Sequence, residues 1–384
     1  MTFQREKQNV TATDTLQALA DGLEIKLSQC TITGSMDINR LFDESEKFDI
    51  QNLNIKEEQN CKKIIFAQPI VFDKCTFEEN VVFSGPWSDP DSISAVFQND
   101  VIFNSSAFHA QCRFRNAHFC KTAGFDGCSF RGVVTFKNAV IDGDAKFRTT
   151  SFEGYTLIPD ALFNSSARFT NTHFVKGVNF KNTTFNSITD FSGVYSSSRS
   201  VPEFENIKFA RKKFGDDESF WRFAKQSAQE AGYYHFAGEC FNNERCAGLR
   251  TKSKGQNYDK LPLNAKIKKS ITSIRLLPEL IFGKILFGYG ERPVRVLLAS
   301  AVIIITCAFL YAQPNMLAYR TGPTENDFLQ GLYFSMITFT TLGYGDLYPE
   351  PNSICRIIAM TQATAGGFLM ALFVVCLAKR FSRG

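Results

Sequence analysis

The stretch TFTTLGYGD, residues 338–346, contains residue types that point to a specialised backbone. Gly343 and Gly345 can adopt positive φ, a conformation that other residues reach only at an energetic cost. Glycine weakens both helices and strands, so core packing does not explain its use here. The stretch ends in the carboxylate of Asp346 and lies between two long apolar runs. These residues therefore predict an irregular backbone segment at membrane depth.

The two apolar runs cover residues 296–312 and 357–378, and each predicts a membrane-spanning helix. The alternative, two buried core helices, does not explain why basic residues flank both runs on one side. These residues are Lys266, Lys268, Lys269, Arg275, Arg292, Arg295, Lys379, Arg380 and Arg383. By the positive-inside rule, we expect a multi-pass protein of the cell (inner) membrane with both termini in the cytoplasm.

The segment between the spans predicts a helix that enters the membrane without crossing it. FLQGLYFSMITF, residues 328–339, is too short to span a bilayer, and residues 324–327 can start a helix. Non-helical backbone at membrane depth is tolerated only when it is buried in protein or lines a water-filled path. The irregular stretch after residue 339 therefore indicates a pore lining.

TTLGYGD, in the order span, half-helix, filter and span, resembles the selectivity filter of two-transmembrane potassium channels. The resemblance covers residues 293–384. It implies that K⁺ is the permeant ion and that rings of oxygen replace its hydration shell. The oxygens would be backbone carbonyls and the Thr341 hydroxyl, with Gly345 and Asp346 at the outer mouth. The carbonyls would belong to Thr341, Leu342, Gly343 and Tyr344.

The resemblance also implies an assembly and a set of supporting residues. One chain supplies a quarter of such a filter, so we expect a homotetramer in contact with membrane lipid. Tyr344 should pack against the half-helix aromatics Tyr333 and Phe334, and Leu342 stands where valine is usual. Gly366 and Gly367 are gating candidates; glycine there can act as a hinge or allow close helix packing. No cofactor is expected.

A second pattern runs through the first half of the chain. From Phe97 to Phe191 an apolar residue recurs in alternating steps of six and five residues, and 16 of these 18 positions are Phe. A small or β-branched residue, such as Ala95 or Cys112, lies two positions before each. Neither a helix nor a single strand has this period, and a fixed internal period is typical of a solenoid.

The ladder resembles that of the Phe-rich pentapeptide-repeat proteins, whose coils have four faces. The sequence thus predicts a multidomain protein: an N-terminal all-β right-handed quadrilateral β-helix, a helical linker, and a C-terminal all-α two-span membrane pore with a re-entrant pore helix. The expected segments are an N-terminal segment (1–22), the cytoplasmic β-helix (23–200), a helical hairpin and linker (201–264), an interfacial amphipathic helix (265–292) and the pore domain (293–384).

The remaining chemistry-bearing residues carry no recognisable site pattern. The 11 cysteines show no zinc-like spacing, and the four histidines lie far apart in sequence, so reduced thiols and structural histidines are expected. Cys75, Cys112 and Cys128 occupy small-residue positions of the ladder and predict packing. A net charge of +5 gives no sign of a nucleic-acid partner.

The sequence therefore predicts a potassium-selective channel, not an enzyme. A cytoplasmic solenoid gates it or serves as a scaffold for a protein or small-ligand partner. The alternative is a membrane-anchored interaction scaffold in which the solenoid binds a partner and the pore does not conduct. Measured ion flux distinguishes the two hypotheses.

Overall fold

The structure of the chain is a computed structural model. It describes residues 1–58, 61–86, 88–89, 91–197, 203–320, 327–351 and 354–381, with side chains to residue 378. The chain divides into two units, Met1–Ile271 and Thr272–Gly384. Residues 324–326 of the expected helix start and Arg383 lie outside the described residues.

Four β-sheets form the sides of a β-helix in the first unit. One sheet contains Thr2–Glu6, Glu24–Ser28, Ile70–Asp73, Val101–Ile102, Ala123–Gly124, Ala145–Lys146, Ala167–Arg168 and Thr189–Asp190. The next contains Asn9–Thr11, Thr31–Thr33, Thr76–Phe77, Ala107–Phe108, Ser129–Phe130, Ser151–Phe152, His173–Phe174 and Tyr195–Ser196. The third contains Met36–Asp37, Val81–Val82, Cys112–Arg113, Val134–Thr135, Thr156–Leu157 and Val178–Asn179. The fourth contains Asn54–Glu58, Cys61–Phe66, Ile93–Phe97, His118–Phe119, Val140–Ile141, Leu162–Phe163, Thr184–Phe185 and Lys208–Phe209.

Successive coils pair in parallel and in register. Val101 pairs with Ala123, and Ala123 pairs with Ala145, so these coils repeat after 22 residues, whereas Ile70 pairs with Val101 31 residues later because a loop lengthens the earlier coil. Asn54–Glu58 is the exception, because it pairs antiparallel with Cys61–Phe66. The predicted repeat solenoid is confirmed. Its backbone groups are satisfied between coils, which is how strands of two residues can persist.

The phenylalanine ladder fills the interior of this β-helix. All 18 ladder positions from Phe97 to Phe191 are at most 1% exposed. Rings of neighbouring coils stack, as Phe108 does on Phe130 with 4.5 Å between ring centroids. Cys75, Cys112 and Cys128 are also buried, and burial raises the pKa of Cys75 to about 11. These thiols therefore pack as small apolar residues, as predicted.

One corner of every half-coil has a left-handed backbone conformation. From residue 105 to residue 193 these corners recur every eleven residues, with φ between +55° and +70°. Asn is the commonest residue there, because its short polar side chain tolerates this region better than most residues do. The corner residues are Ser105, Asn116, Gly127, Asn138, Thr149, Asp160, Asn171, Asn182 and Gly193.

The β-helix begins earlier than the predicted boundary at residue 23. Thr2–Glu6 already pairs with Glu24–Ser28, so residues 1–22 are part of the solenoid rather than a separate segment. Helix α1, Ala12–Ala20, interrupts this first coil and buries Leu16 and Leu19 against the core. The Phe period cannot reveal these coils, because Val, Leu and Ile fill their interior. A short 3₁₀ helix, Ile38–Phe42, follows in the next coil.

Two helices cover the last coil, in the region predicted as a helical hairpin. They are α2, Glu218–Glu230, and α3, Tyr234–Ser253, with Gly232 at φ +80° between them. Phe220 of α2 lies edge-on to Phe191, with 5.2 Å between ring centroids. Short 3₁₀ helices, Lys212–Phe214 and Tyr258–Lys260, flank the pair. The helices therefore shield the open end of the phenylalanine core.

The predicted interfacial helix 265–292 is helical but discontinuous. It consists of α4, Leu263–Thr272, the 3₁₀ helix Ser273–Leu276, the π-helix Glu279–Leu286 and the 3₁₀ helix Gly288–Gly290. The prediction of one interfacial helix over residues 265–292 is therefore wrong as to its continuity. Pro278 lacks the backbone donor that a continuous α-helix requires, and Tyr289 has a φ of +56°.

Three helices and a two-stranded ribbon form the rest of the second unit. They are α5, Pro293–Tyr311, the antiparallel strands Leu317–Tyr319 and Leu347–Pro349, α6, Phe328–Phe339, and α7, Cys355–Phe381. In the described chain, Pro293–Tyr311 and Cys355–Ala378 are long and apolar enough to cross a membrane. Only 17% of each is buried, whereas the core helix of a soluble protein is mostly buried.

Candidate functional site

Helix α6 sets the position of the stretch TTLGYGD. It begins after Asp327, whose carboxylate accepts a hydrogen bond from the Gln330 amide at 2.8 Å. Gly331 allows α6 to approach α5 closely, because a Cβ at this position would lie 2.4 Å from the Ala308 carbonyl oxygen. The helix ends at Phe339, and the irregular backbone follows at once. Its start and end are those predicted for the half-helix.

The backbone after α6 alternates in handedness. Thr341, Gly343 and Gly345 have φ values of +57°, +52° and +78°. The Leu342 amide donates a hydrogen bond to the Ile337 carbonyl at 2.9 Å, which anchors the stretch to the last turn of α6. The side chains of Leu342 and Tyr344 are 62% and 69% exposed in the single chain. Positive φ at both glycines is the conformation that the sequence predicts.

The end of this stretch is held by Asp346. Its carboxylate accepts a hydrogen bond from the Tyr333 hydroxyl at 2.8 Å, and its carbonyl accepts one from the Arg320 amide at 3.1 Å. These contacts join the stretch to α6 and to the two-stranded ribbon. Tyr344 does not make the predicted contact within the chain: its side chain is largely exposed, and Phe334 lies edge-on to Tyr311 instead.

A buried polar network joins the three helices behind the stretch. The Gln362 side-chain amide donates hydrogen bonds to the Ser335 hydroxyl at 2.6 Å and to its carbonyl at 3.1 Å. The Tyr311 hydroxyl donates to the Gln362 carbonyl oxygen at 2.7 Å, and the Ser335 hydroxyl donates to the Ile304 carbonyl. The sequence patterns above did not predict this network. The one feature that indicates it is Gln362 within an apolar span, because polar residues in such spans usually have a hydrogen-bond partner.

The two glycines of α7 differ in their surroundings. A Cβ at Gly366 would lie 2.1 Å from the Phe339 carbonyl oxygen, whereas a Cβ at Gly367 has no atom within 4 Å in the described chain. Gly366 therefore allows α7 to contact the end of α6 closely. Of the two roles left open by the sequence, close packing describes Gly366 in this conformation. A gating hinge at Gly366 or Gly367 stays a prediction.

Comparison with known proteins identifies the class of the second unit. Residues 295–383 match a protein-family model described as an ion channel. The chain is 36% identical over 94 residues to two pore potassium channel b of Oryza sativa subsp. japonica, covering 22% of this chain and 26% of the relative. It is 31% identical over 86 residues to the potassium voltage-gated channel protein Shal of Drosophila melanogaster, covering 22% and 14%. The predicted potassium-channel resemblance is confirmed.

These similarities are partial. The chain spans about a quarter of the length of the rice relative and less of the fly relative. No solved structure matches the chain. The two apolar helices and the ion-channel match together place the second unit in a membrane.

Proposed function

We propose that four copies of this chain form a potassium-selective channel. The observation that carries the proposal is TTLGYGD directly after a 12-residue half-helix, between two spans, with left-handed φ at alternate residues. Glycine at two of these positions allows this backbone, and peptide carbonyls in such a stretch can replace the hydration shell of K⁺.

Each residue of the filter has a proposed role. The carbonyls of Thr341, Leu342, Gly343 and Tyr344 bind K⁺ as it passes, together with the Thr341 hydroxyl. Gly345 and Asp346 form the outer mouth, where the carboxylate attracts cations. The four copies meet around one axis, because one chain supplies only a quarter of each oxygen ring. Tyr344, exposed in the single chain, is then available for contacts with a neighbouring copy.

The orientation follows from charge. Lys and Arg residues flank the two spans on the side of both termini, so these termini lie in the cytoplasm and the β-helix is cytoplasmic. We propose that the β-helix either provides a gating input or docks a protein or small-ligand partner. The K⁺ ion is the permeant species rather than a resident cofactor.

The experiment is a K⁺ flux assay on the full chain in liposomes. Wild-type protein is expected to conduct, and Gly343→Ala to lose conduction, because alanine is disfavoured at a φ of +52° by about 1–2 kcal/mol. A Cβ at Gly343 meets no atom of the described residues within 4 Å, so the loss would come from the backbone conformation rather than from a clash within that part of one copy.

Leu342→Val is the matched control, because the Leu342 carbonyl rather than its side chain binds the ion. This variant is expected to keep conducting. If the wild-type tetramer passes no K⁺, the scaffold hypothesis replaces the channel.

A further inference from the structure

Three side chains on the outside of the β-helix bring an imidazole, a thiol and a carboxylate together. His118 Nε2 lies 2.7 Å from Asp142 Oδ2 and 4.0 Å from Cys120 Sγ. All three ligand atoms lie within 4.8 Å of one another, and within the described residues no other group of three His, Cys, Asp or Glu side chains meets this criterion. Sequence spacing gave no sign of this cluster, because Asp142 belongs to the next coil.

The coil geometry fixes these positions. Phe119 is buried in the interior, so His118 and Cys120 on either side of it point outward. The Cys120 amide donates to the Phe97 carbonyl, and the Asp142 amide donates to the Phe119 carbonyl, at 2.9 Å and 2.8 Å. Cys120 and Asp142 therefore occupy equivalent places in successive coils. His118 lies in a strand, and Cys120 and Asp142 directly follow strands with their amides bonded to the preceding coil, a support that favours a preorganised site.

Two hydrogen bonds in series orient the Asp142 carboxylate on the side away from His118. The Asn164 side chain donates to Asp142 Oδ1 at 2.7 Å, and the Asn186 side chain donates to Asn164 Oδ1 at 2.8 Å. Asn164 thus engages one carboxylate oxygen and leaves the other, Oδ2, facing His118. Outer-shell partners of this kind commonly orient the ligands of metal sites.

We propose that His118, Cys120 and Asp142 bind one Zn²⁺ ion, with water as a fourth ligand. Nitrogen, thiolate sulfur and carboxylate oxygen are all ligands that zinc accepts, and sulfur disfavours Mg²⁺ and Ca²⁺. Tetrahedral bonds of about 2.0–2.3 Å place ligand atoms about 3.3–3.8 Å apart. The observed separations of 2.7 Å and 4.0 Å come within about 1 Å of that range, a change that side-chain rotation supplies.

The site is accessible to an ion from solvent, since the side chains of His118 and Asp142 are 39% and 41% exposed. The proposal concerns the first unit alone. It therefore stands or fails independently of the proposed conduction through the second unit.

Metal-free full-length chain in detergent, titrated with Co²⁺ and then with Zn²⁺, tests the site. The expected result is one bound Co²⁺ per chain, with a thiolate-to-cobalt charge-transfer band and the ligand-field bands of a tetrahedral site, all removed by Zn²⁺. Cys120→Ser is expected to lose the charge-transfer band, and His118→Ala and Asp142→Asn to weaken binding. Cys61→Ser, a partly exposed thiol of the same sheet, should leave the spectrum unchanged.

A second measurement needs no variant. Zn²⁺ should slow maleimide labelling of Cys120, followed by mass spectrometry of its peptide, while labelling of Cys61 keeps its rate. Asn164→Ala, which removes the outer-shell hydrogen bond, should weaken Zn²⁺ binding by about 10–100-fold. Absence of a thiolate band, its survival in Cys120→Ser, or equal labelling rates with and without Zn²⁺ would overturn the proposal.

Discussion

At the scale of single residues, helix packing in the second unit depends on glycines at positions where a larger side chain would clash. Gly331 and Gly366 each contact the backbone of a neighbouring helix, and a Cβ would lie within 2.4 Å of a carbonyl oxygen at either position. Gln362 is a large polar residue in a buried position. Its side-chain oxygen accepts a hydrogen bond from Tyr311, and its side-chain nitrogen donates one to Ser335. Together these residues hold α6, and therefore the start of the stretch TTLGYGD, against α5 and α7.

Gly366→Ala is expected to destabilise the protein, by about 1–3 kcal/mol, because overpacking forces the end of α6 to move. Gly367→Ala is the matched control, because its Cβ would meet no atom of the described residues within 4 Å and alanine favours the helix. Thermal unfolding of both variants in detergent measures the difference. Equal melting temperatures for the two variants would contradict the close packing of α7 on α6.

At the scale of elements, the sequence predicted the repeated coils. It did not predict features that depend on contacts between residues far apart in sequence. The Phe period predicted the coils from Phe97 to Phe191, the apolar stretch 328–339 predicted the half-helix, and Gly343 and Gly345 predicted positive φ after it, whereas the positive φ of Thr341 was not predicted. The coils before Phe66 carry Ile, Leu and Val, so their period was too weak to locate the start. The cluster at His118 and the network at Gln362 each join residues far apart in sequence, which spacing alone cannot reveal.

Because the phenylalanine rings are buried and stacked, we expect the removal of a single ring to lower the free energy of unfolding strongly. Phe136→Ala removes a ring that is 1% exposed and stacks on Phe114 at 5.1 Å, so we expect a loss of about 3–5 kcal/mol. Tyr155→Ala removes an aromatic ring that is 51% exposed, and it should change stability little.

Urea unfolding of the first unit, residues 1–271, provides the measurement. A circular-dichroism spectrum dominated by helix in the wild-type unit would contradict the β-helix itself. Similar midpoints for the two variants would contradict the role of the ladder as the core.

At the scale of the whole molecule, the boundary between the units defines the informative truncation. Phe220 and Phe223 of α2 pack into the core of the β-helix, so α2 belongs to the first unit. A cut at residue 200 would expose these rings, whereas a cut after residue 262 removes the β-helix together with α2 and α3 and keeps α4. The second unit then keeps α5, α6 and α7 with all their mutual contacts.

We predict that the chain from residue 263 onward still forms a tetramer but opens with a different probability. The physical reason is that the backbone through α4 and Pro278 connects the β-helix to the start of α5, so a change in one unit can reach the other. Single-channel recordings of the full and truncated chains under the same conditions measure this. An unchanged open probability would make the β-helix a docking platform rather than a gating input.

The central claim is that the backbone of residues 341–344 discriminates K⁺ from Na⁺. The most direct measurement is the reversal potential of the full chain in a planar bilayer, with K⁺ on one side and Na⁺ on the other. With the two ions at equal concentration, we expect reversal at least about 60 mV from zero with the sign of a K⁺-selective pore, which corresponds to a permeability ratio above about ten and to about 1.4 kcal/mol of discrimination. Reversal near zero would show that the filter passes both ions alike, and it would contradict the account.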